Sequence, residues 1–235
     1  MTDAPSAARD QPLIAIDVVP VSFTVAEGLR VATARRAYAP YAGREALPGV
    51  LLDAAERLAD GARRALRTKA GIGTGAVRHL TQVGAFDGPS RDPRETAISI
   101  AFTAVVHPVP TPFAATDPGV VSGPAAGAGG GSAVWHPLGG GDLGLPFDHD
   151  AIVGAALDQV RTRLWRDVPM TRALLGDVFP TSAAAALHAA LHGSAPDAGN
   201  LNRALRTNPV LARTDAAPTA TGRGGRPPAT WTWTD

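Results

Sequence analysis

The chain has 235 residues, 45% of them hydrophobic, and a formal net charge of +1. That is enough apolar content for a packed core, too much for a disordered chain, and a length that suits two modest domains. No run of about 18 apolar residues occurs, so no membrane span is expected, and the absence of cysteine excludes disulfides, thiolate nucleophiles and Cys-based zinc sites.

The opening "MTDAPSAARDQP" lacks the pattern of a signal peptide, and together with the missing cysteines it fits a cytoplasmic protein. Charge is unevenly spread. Residues 151–235 hold nine Arg and six Asp, a balance of +3, against 13 basic and 15 acidic side chains in residues 1–150. Lys69 is the only lysine. An Ala- and Arg-rich, Lys-poor composition reflects GC-rich codons, so placement of arginine carries more information than its abundance.

In chain order, "PLIAIDVVPVSFTV" reads as a strand over Leu13 to Val25 and "LRVATARRAY" as a second over Leu29 to Tyr38. A Leu-Pro-Gly turn follows, then a helix from about Asp53, a candidate N-cap, to Ala70, with Gly71 as its stop. "AVRHLTQVGAFD" and "ETAISIAFTAVVH" read as further strands, the second β-branched and central. The Gly- and Ala-rich stretch 116–132 reads as a surface insertion. "AVWHP" is a short strand. A long helix then spans about 148–166, with Asp148 or Asp150 as cap and Ile152, Ala155, Ala156, Val160 and Leu164 as its apolar stripe.

After Asp167 the pattern changes to three short helices, "PMTRALLGD", "SAAAALHAALHG" and "APDAGNLNRALRTN". Two short strands, "PVLARTD" and "PATWTWTD", flank "AAPTATGRGGRP". Three helices followed by a hairpin is the order of a winged helix-turn-helix. The expected architecture is α+β, with residues 1–166 forming one domain and 167–235 the other.

The segment Ala46–Ile72 is similar to the Nudix box, G-x5-E-x7-R-E-U-x-E-E-x-G-U with U aliphatic. Anchored at Gly71-Ile72, Glu56 falls on the first glutamate, Arg64 on the arginine and Leu66 on the aliphatic position. Val50 replaces the opening glycine, and Ala65, Thr68 and Lys69 replace glutamates. Pyrophosphate cleavage needs a divalent cation to neutralise phosphate oxygens and activate water, and the box helix supplies its carboxylates at i, i+3 and i+4. On that face this chain carries Ala65, Thr68 and Lys69, and a lysine repels the cation. Glu56 and Arg64 are left to form a structural ion pair. The expectation is a catalytically inactive box with no metal.

The resemblance extends beyond the box. "LTQVGAFDGPSRDPRETAISIAFTAVV" is similar to the stretch after the box in Nudix-related transcriptional regulators of NAD metabolism, keeping Leu80, Gln82, Phe86, Arg91-Asp92-Pro93-Arg94, Ile98, Ser99 and Ala101. "LPFDHDAIVGAAL" resembles their linker helix, and the segment from "FPTSAAAALHAAL" to "GRGGRPPATWTW" their winged-helix domain. Thr81 departs from a common glutamate. The resemblance implies a Nudix-like α/β/α sandwich followed by a winged helix-turn-helix. It also implies a homodimeric repressor that binds double-stranded operators at NAD-biosynthesis or salvage genes. It implies ADP-ribose or a related NAD metabolite as effector, with no cofactor required.

The candidate effector ligands are Arg36, Phe86, Arg91, Asp92 and Arg94. Arginine forks suit phosphate oxygens, and a phenyl ring can stack on adenine. The rival reading of Arg91–Arg94 is a self-satisfied turn in which arginine and aspartate pair and Pro93 sets the bend. For DNA, the recognition helix is expected over Ala198 to Thr207, with Asn200, Asn202, Arg203 and Arg206 reading bases or holding phosphates. Arg223 and Arg226 lie in the Gly-rich wing, whose rival reading is a mere hairpin tip. His188 and His192 have a zinc-ligand spacing but no accompanying Glu, since none follows Glu95, and they read as an ordinary helix face. Trp231 and Trp233 should cover the core of the winged helix. The alternative function is an active pyrophosphohydrolase on ADP-ribose or a similar nucleoside diphosphate, with Asp53, Glu56 and other acids rebuilding a metal site.

Overall fold

The structure, a computed structural model, describes residues 11–88, 91–107, 131–138, 141–215 and 229–234. The expected insertion 116–132 therefore lies almost wholly outside the described residues, as does the wing with Arg223 and Arg226.

The first half is organised by β1 (Leu13–Thr24). Its side chains alternate, as a strand buried on both faces requires. Ile16 and Val18 enter one apolar cluster, and Val19, Val21 and Phe23 enter another on the opposite face. Next come β2 (Gly28–Arg35), β3 (Glu45–Ala46) and β4 (Gly49–Leu51). β2 ends three residues short of the expected Tyr38, because the chain turns into the loop that leads to β3. The two short strands on either side of Leu47-Pro48 carry no periodicity that would reveal them.

The box helix, α1 (Leu58–Ala70), buries Ala62, Ala65, Leu66 and Ala70 against the sheet. Gly61 lets it approach closely, since a Cβ there would meet Ile16 at 3.2 Å. Asp53 is not its N-cap. The helix starts after Arg57, and residues 53–57 form a loop in which the Glu56 amide donates to the Asp53 carbonyl. Gly71 does stop it, in the left-handed conformation at φ 68°.

A 3-10 turn (Thr74–Ala76) leads to β5 (Val77–Phe86), β6 (Ala97–Val106) and β7 (Ala133–Pro137). Among the described residues the sheet has seven strands. Five follow the order β3-β2-β1-β6-β5, with β4 added to β1 and β7 to β2. β6 is central, as its β-branched run foretold, and it pairs parallel to β1. α2 (His149–Arg163) covers the face opposite α1. Asp148 stands at its N-cap position, but neither proposed acid makes a side-chain capping bond. Asp148 instead accepts from Arg91, and Asp150 accepts the amides of Leu143 and Leu145 in the loop before the helix. Ile152, Ala156, Val160 and Leu164 are buried as the stripe predicts, and Ala155 is half-buried.

The remaining elements are α3 (Val168–Leu175), β8 (Val178–Pro180), α4 (Thr181–His192), α5 (Ala198–Thr207), β9 (Leu211–Thr214) and β10 (Thr230–Trp233). All three helices and both strands of the winged-helix order form. β8 joins them to make a three-stranded sheet, β8-β10-β9. Trp231 and Trp233 close this small core, and their indole N–H groups donate to the Thr181 hydroxyl and the Gly176 carbonyl. Packing does not stop at residue 167. Met170, Leu174, Leu187 and Leu191 enter the same cluster as Val19, Val21 and Ile152. Among the described residues no helix is long and apolar enough to cross a membrane.

Candidate functional site

One edge of β1 serves two partners in turn: β4 along Ala15–Asp17 and β2 along Val21–Thr24. The space between these partners is a cleft of about 420 Å³, walled by β4, the ends of β2 and α1, and the 91–97 loop. The volume is in the range of small-ligand sites. The Pro-Gly turn has a steric reason. Gly49 is in register with Asp17, and a Cβ at 49 would collide with the Asp17 carboxylate.

That carboxylate anchors the deepest polar network. Arg91 is buried and forks, donating through a terminal nitrogen to Asp17 at 2.7 Å and through Nε to Asp148 at 2.9 Å. The Ser99 hydroxyl also donates to Asp17 at 2.7 Å. His149, at the start of α2, accepts the Leu47 amide through Nδ1 at 3.0 Å. Arg91 was expected to meet the ligand. It lines the cleft, but its two donor edges are spent tying β1 to the entry of α2.

Burial holds the His149 pKa below its usual 6.5, the strongest of several influences on it, so the folded protein keeps this imidazole neutral. The unfolded chain takes up the proton near 6.5. Stability contributed by the neutral form is therefore full above 6.5 and lost as the pH falls below it. Urea midpoints should decline as the pH is lowered through this window, and the decline should shrink in His149→Gln.

The next residues of the loop satisfy each other. Asp92 accepts from the Arg94 amide, Nε and a terminal nitrogen at 3.0, 2.9 and 2.6 Å. These bonds draw the Asp92 pKa down, with the Arg94 side chain the largest cause. The rival reading of a self-paired turn thus describes Asp92 and Arg94, although Arg94 remains half-exposed at the cleft.

Arg36 is fixed at the mouth. Its Nε donates to the Pro40 carbonyl at 2.9 Å, and its guanidinium lies 4.8 Å from the centre of the Phe147 ring. Burial first, and the like charge of Arg94 second, push its pKa down, and both cations line the cleft. The lining contains Arg35, Arg36, Lys69, Arg91 and Arg94 against Asp17 and Asp92 among the described residues, a set that favours an anion.

The expected aromatic platform is displaced. Phe86 is in register with Ser99 and packs against the α2-side core, outside the cleft lining. Phe147 lines the cleft instead, and Tyr41 stacks edge-on against it at 5.1 Å. Both have left-handed backbones, φ 63° and 61°, a strained conformation that clusters at ligand clamps. Sequence reasoning missed Phe147 because it falls in the approach to a helix, where nothing marks one ring as an exposed wall.

The box forms the ion pair its residues predict. Arg64 donates to Glu56 through Nε at 2.9 Å and a terminal nitrogen at 2.7 Å. Glu56 also accepts the Asp53 amide, and these contacts, Arg64 foremost, pull its pKa down to about 2. Ala65 is wholly buried against the sheet, so it does not share an open face with Thr68 and Lys69. Thr68 and Lys69 are exposed at the cleft. A divalent cation does not fit this donor set. Asp17 and Glu56 are committed to arginines, Lys69 stands on the metal-binding face, and no group of three potential ligands exists among the described residues.

In the second half, α5 matches the expected recognition helix from Ala198 to Thr207. Asp197 caps it by accepting the Asn200 amide at 2.8 Å. Leu201 and Leu205 turn inward, and Asn200, Arg203 and Arg206 are exposed. Asn202 is the exception, being half-buried with its amide donating to the Ala198 carbonyl at 2.8 Å. The rings of His188 and His192 stack 4.2 Å apart on α4, with no third ligand among the described residues.

No protein-family model matches the chain, and no curated sequence is similar to it. Solved structures are. NrtR of Shewanella oneidensis, crystallised with a 27mer DNA, aligns with a TM-score of 0.71 at 20% identity over 94% of this chain and 93% of that one. A MutT/nudix family protein of Enterococcus faecalis aligns with a TM-score of 0.71 at 19% identity, covering 99% and 90%. The NUDIX domain of S. oneidensis NrtR complexed with ADP ribose aligns with a TM-score of 0.50 at 22% identity, covering 65% of this chain and 91% of that one. Over nearly its whole length, then, the chain has the fold of the NrtR structures, a Nudix-like α/β/α sandwich joined to a winged-helix domain.

Proposed function

We propose that this protein is a DNA-binding transcriptional regulator, a repressor of NAD biosynthesis or salvage genes. Its Nudix-like cleft senses ADP-ribose or a related NAD metabolite without hydrolysing it. Residues 1–166 are the sensing unit and 167–235 the DNA-binding unit. The observation that carries this reading is a cationic cleft with no metal-binding carboxylate set among the described residues, in a sandwich that shares one core with α3 and α4 of a winged-helix domain. The likeness to a structure with DNA and to one with ADP ribose supports both partners.

The chemistry of the cleft is recognition. Arg36 and Arg94 hold an anionic group at the mouth, and Phe147 offers a ring for stacking. Effector and DNA are coupled only if the effector binds two conformations unequally. A route for that coupling runs from the cleft wall through Arg91 to Asp148, along α2, and through Arg161, whose Nε donates to the Leu191 carbonyl of α4 at 2.7 Å. On the DNA side, Asn200, Arg203 and Arg206 present themselves from α5, with Arg223 and Arg226 in the wing.

The test is a gel shift on the duplex upstream of the protein's own gene, with and without ADP-ribose. The protein should bind the duplex, and ADP-ribose should change that binding. Arg203→Ala combined with Arg206→Ala should weaken DNA binding by roughly tenfold or more and lower the salt slope by about 2, with ADP-ribose affinity unchanged. Arg94→Ala should do the reverse. Metal-dependent turnover of ADP-ribose at about 1 per second or faster would favour the hydrolase reading instead. The DNA-binding unit is a homodimer, as two half-sites require; a monomer by light scattering, free and on operator, would overturn that part.

A further inference from the structure

A Nudix-like cleft with no place for its metal raises the question of what neutralises the ligand's phosphates. In an intact Nudix box the glutamates and the C-terminal end of the helix form a negative corner that suits a divalent cation and repels phosphate. In this chain that corner holds Lys69, in the last turn of α1 and exposed at the cleft. Lys69 has no ion-pair or hydrogen-bond partner among the described residues, unlike Arg64, which is held by Glu56, and Arg91, which is held by Asp17 and Asp148.

Arg36 is the second unspent cation. Only its Nε is engaged, with the Pro40 carbonyl, so its two terminal nitrogens have no hydrogen-bond partner among the described residues. The Phe147 ring holds the guanidinium plane, which limits the entropy lost when an anion docks. Asp92, whose charge acts on Arg36, is occupied by Arg94.

We propose that Lys69 stands in for the divalent cation, and that Lys69 and Arg36 grip a diphosphate directly in a metal-free clamp. This rests on reading the cleft as the sensor of a nucleoside diphosphate. It assigns Lys69 as a binding residue that sets specificity for an uncomplexed diphosphate over its magnesium complex. A ligand already wrapped around Mg²⁺ would bring the metal against the ammonium, so added Mg²⁺ should compete for the ligand and not assist its binding.

The experiment is calorimetric titration of the full chain with ADP-ribose, and separately with inorganic pyrophosphate, in EDTA and in MgCl₂. ADP-ribose should bind in EDTA at least as tightly as in MgCl₂. Lys69→Ala should weaken binding about tenfold or more in EDTA, Lys69→Glu should weaken it further, and Lys69→Arg should retain most of it. Melting temperatures of the variants close to that of the parent separate lost binding from lost folding. Binding of ADP-ribose that requires Mg²⁺, or that is unchanged in Lys69→Ala, would overturn the clamp and leave the sensor reading standing. If ADP-ribose fails to bind in either buffer, the sensor reading falls. Pyrophosphate then decides: Lys69-dependent binding in EDTA upholds the clamp, and its absence overturns it.

Discussion

Arg91→Ala is expected to cost about 3–5 kcal/mol of folding stability. The guanidinium is buried between two carboxylates, Asp17 from β1 and Asp148 before α2, and its removal leaves Asp17 as a nearly buried charge with the Ser99 hydroxyl as its hydrogen-bond donor among the described residues and the His149 ring 3.6 Å away. For a chain of this length the loss corresponds to a melting temperature lower by roughly 10 °C. Arg91→Lys should recover only part of it, because an ammonium cannot present two edges to two carboxylates as a planar fork does. A thermal melt of the two variants against the parent checks the claim. A shift of only a degree or two for Arg91→Ala would mean that Asp17 finds another partner or water, and that the fork does not hold the sheet to α2.

Leu187→Ala tests whether the two halves are one cooperative body. Leu187 belongs to α4, in the winged-helix half, yet it is fully buried in the cluster that contains Val19, Ile152 and Val160 of the sandwich half. Truncation should cost about 2–5 kcal/mol, the usual range for a buried leucine, and should lower a single melting transition. Leu205→Ala, in the small core around Trp231 and Trp233, is the matched control. Both variants should shift the same transition. Two separable transitions in the parent, with Leu205→Ala moving only one, would show that the halves unfold independently and that the shared cluster couples them weakly.

The same shared cluster limits what could be read before the fold was known. The apolar stripe of α2 predicts that the helix buries a face, and it does, while α4, legible only as a short helix, also buries one. Neither reading says against what. The composition change after Asp167 was legible as a new run of helices, yet a composition change does not locate a gap in packing, and the buried faces of α3 and α4 cross it. Capping was read from residue type alone: it failed at Asp53 and Asp150, and at Asp148 it found the N-cap position but not a capping side chain, because each acid has its own amide or arginine to serve. Asp167 and Asp197 do cap, each accepting from the amide three residues on.

At the candidate site the division is similar. The family resemblance implied the α/β/α sandwich, and the amino-acid sequence by itself determined the mixed strand and helix run of the first half, the helix and strand order of the winged helix, the loss of the box glutamates, the Glu56–Arg64 pair and the extent of α5. Those features depend on spacing along one element or on residue identity, which a linear string records completely. Only the tertiary structure decided that Arg91 ties β1 to α2, that Asp92 and Arg94 satisfy each other, that Phe147 and not Phe86 walls the cleft, and that Ala65 is buried while Lys69 is exposed. Each of those turns on which groups from distant parts of the chain come within reach. A guanidinium takes whichever carboxylate lies about 3 Å away, and a ring faces solvent or core according to the strand or turn that carries it, so residue type alone leaves both choices open.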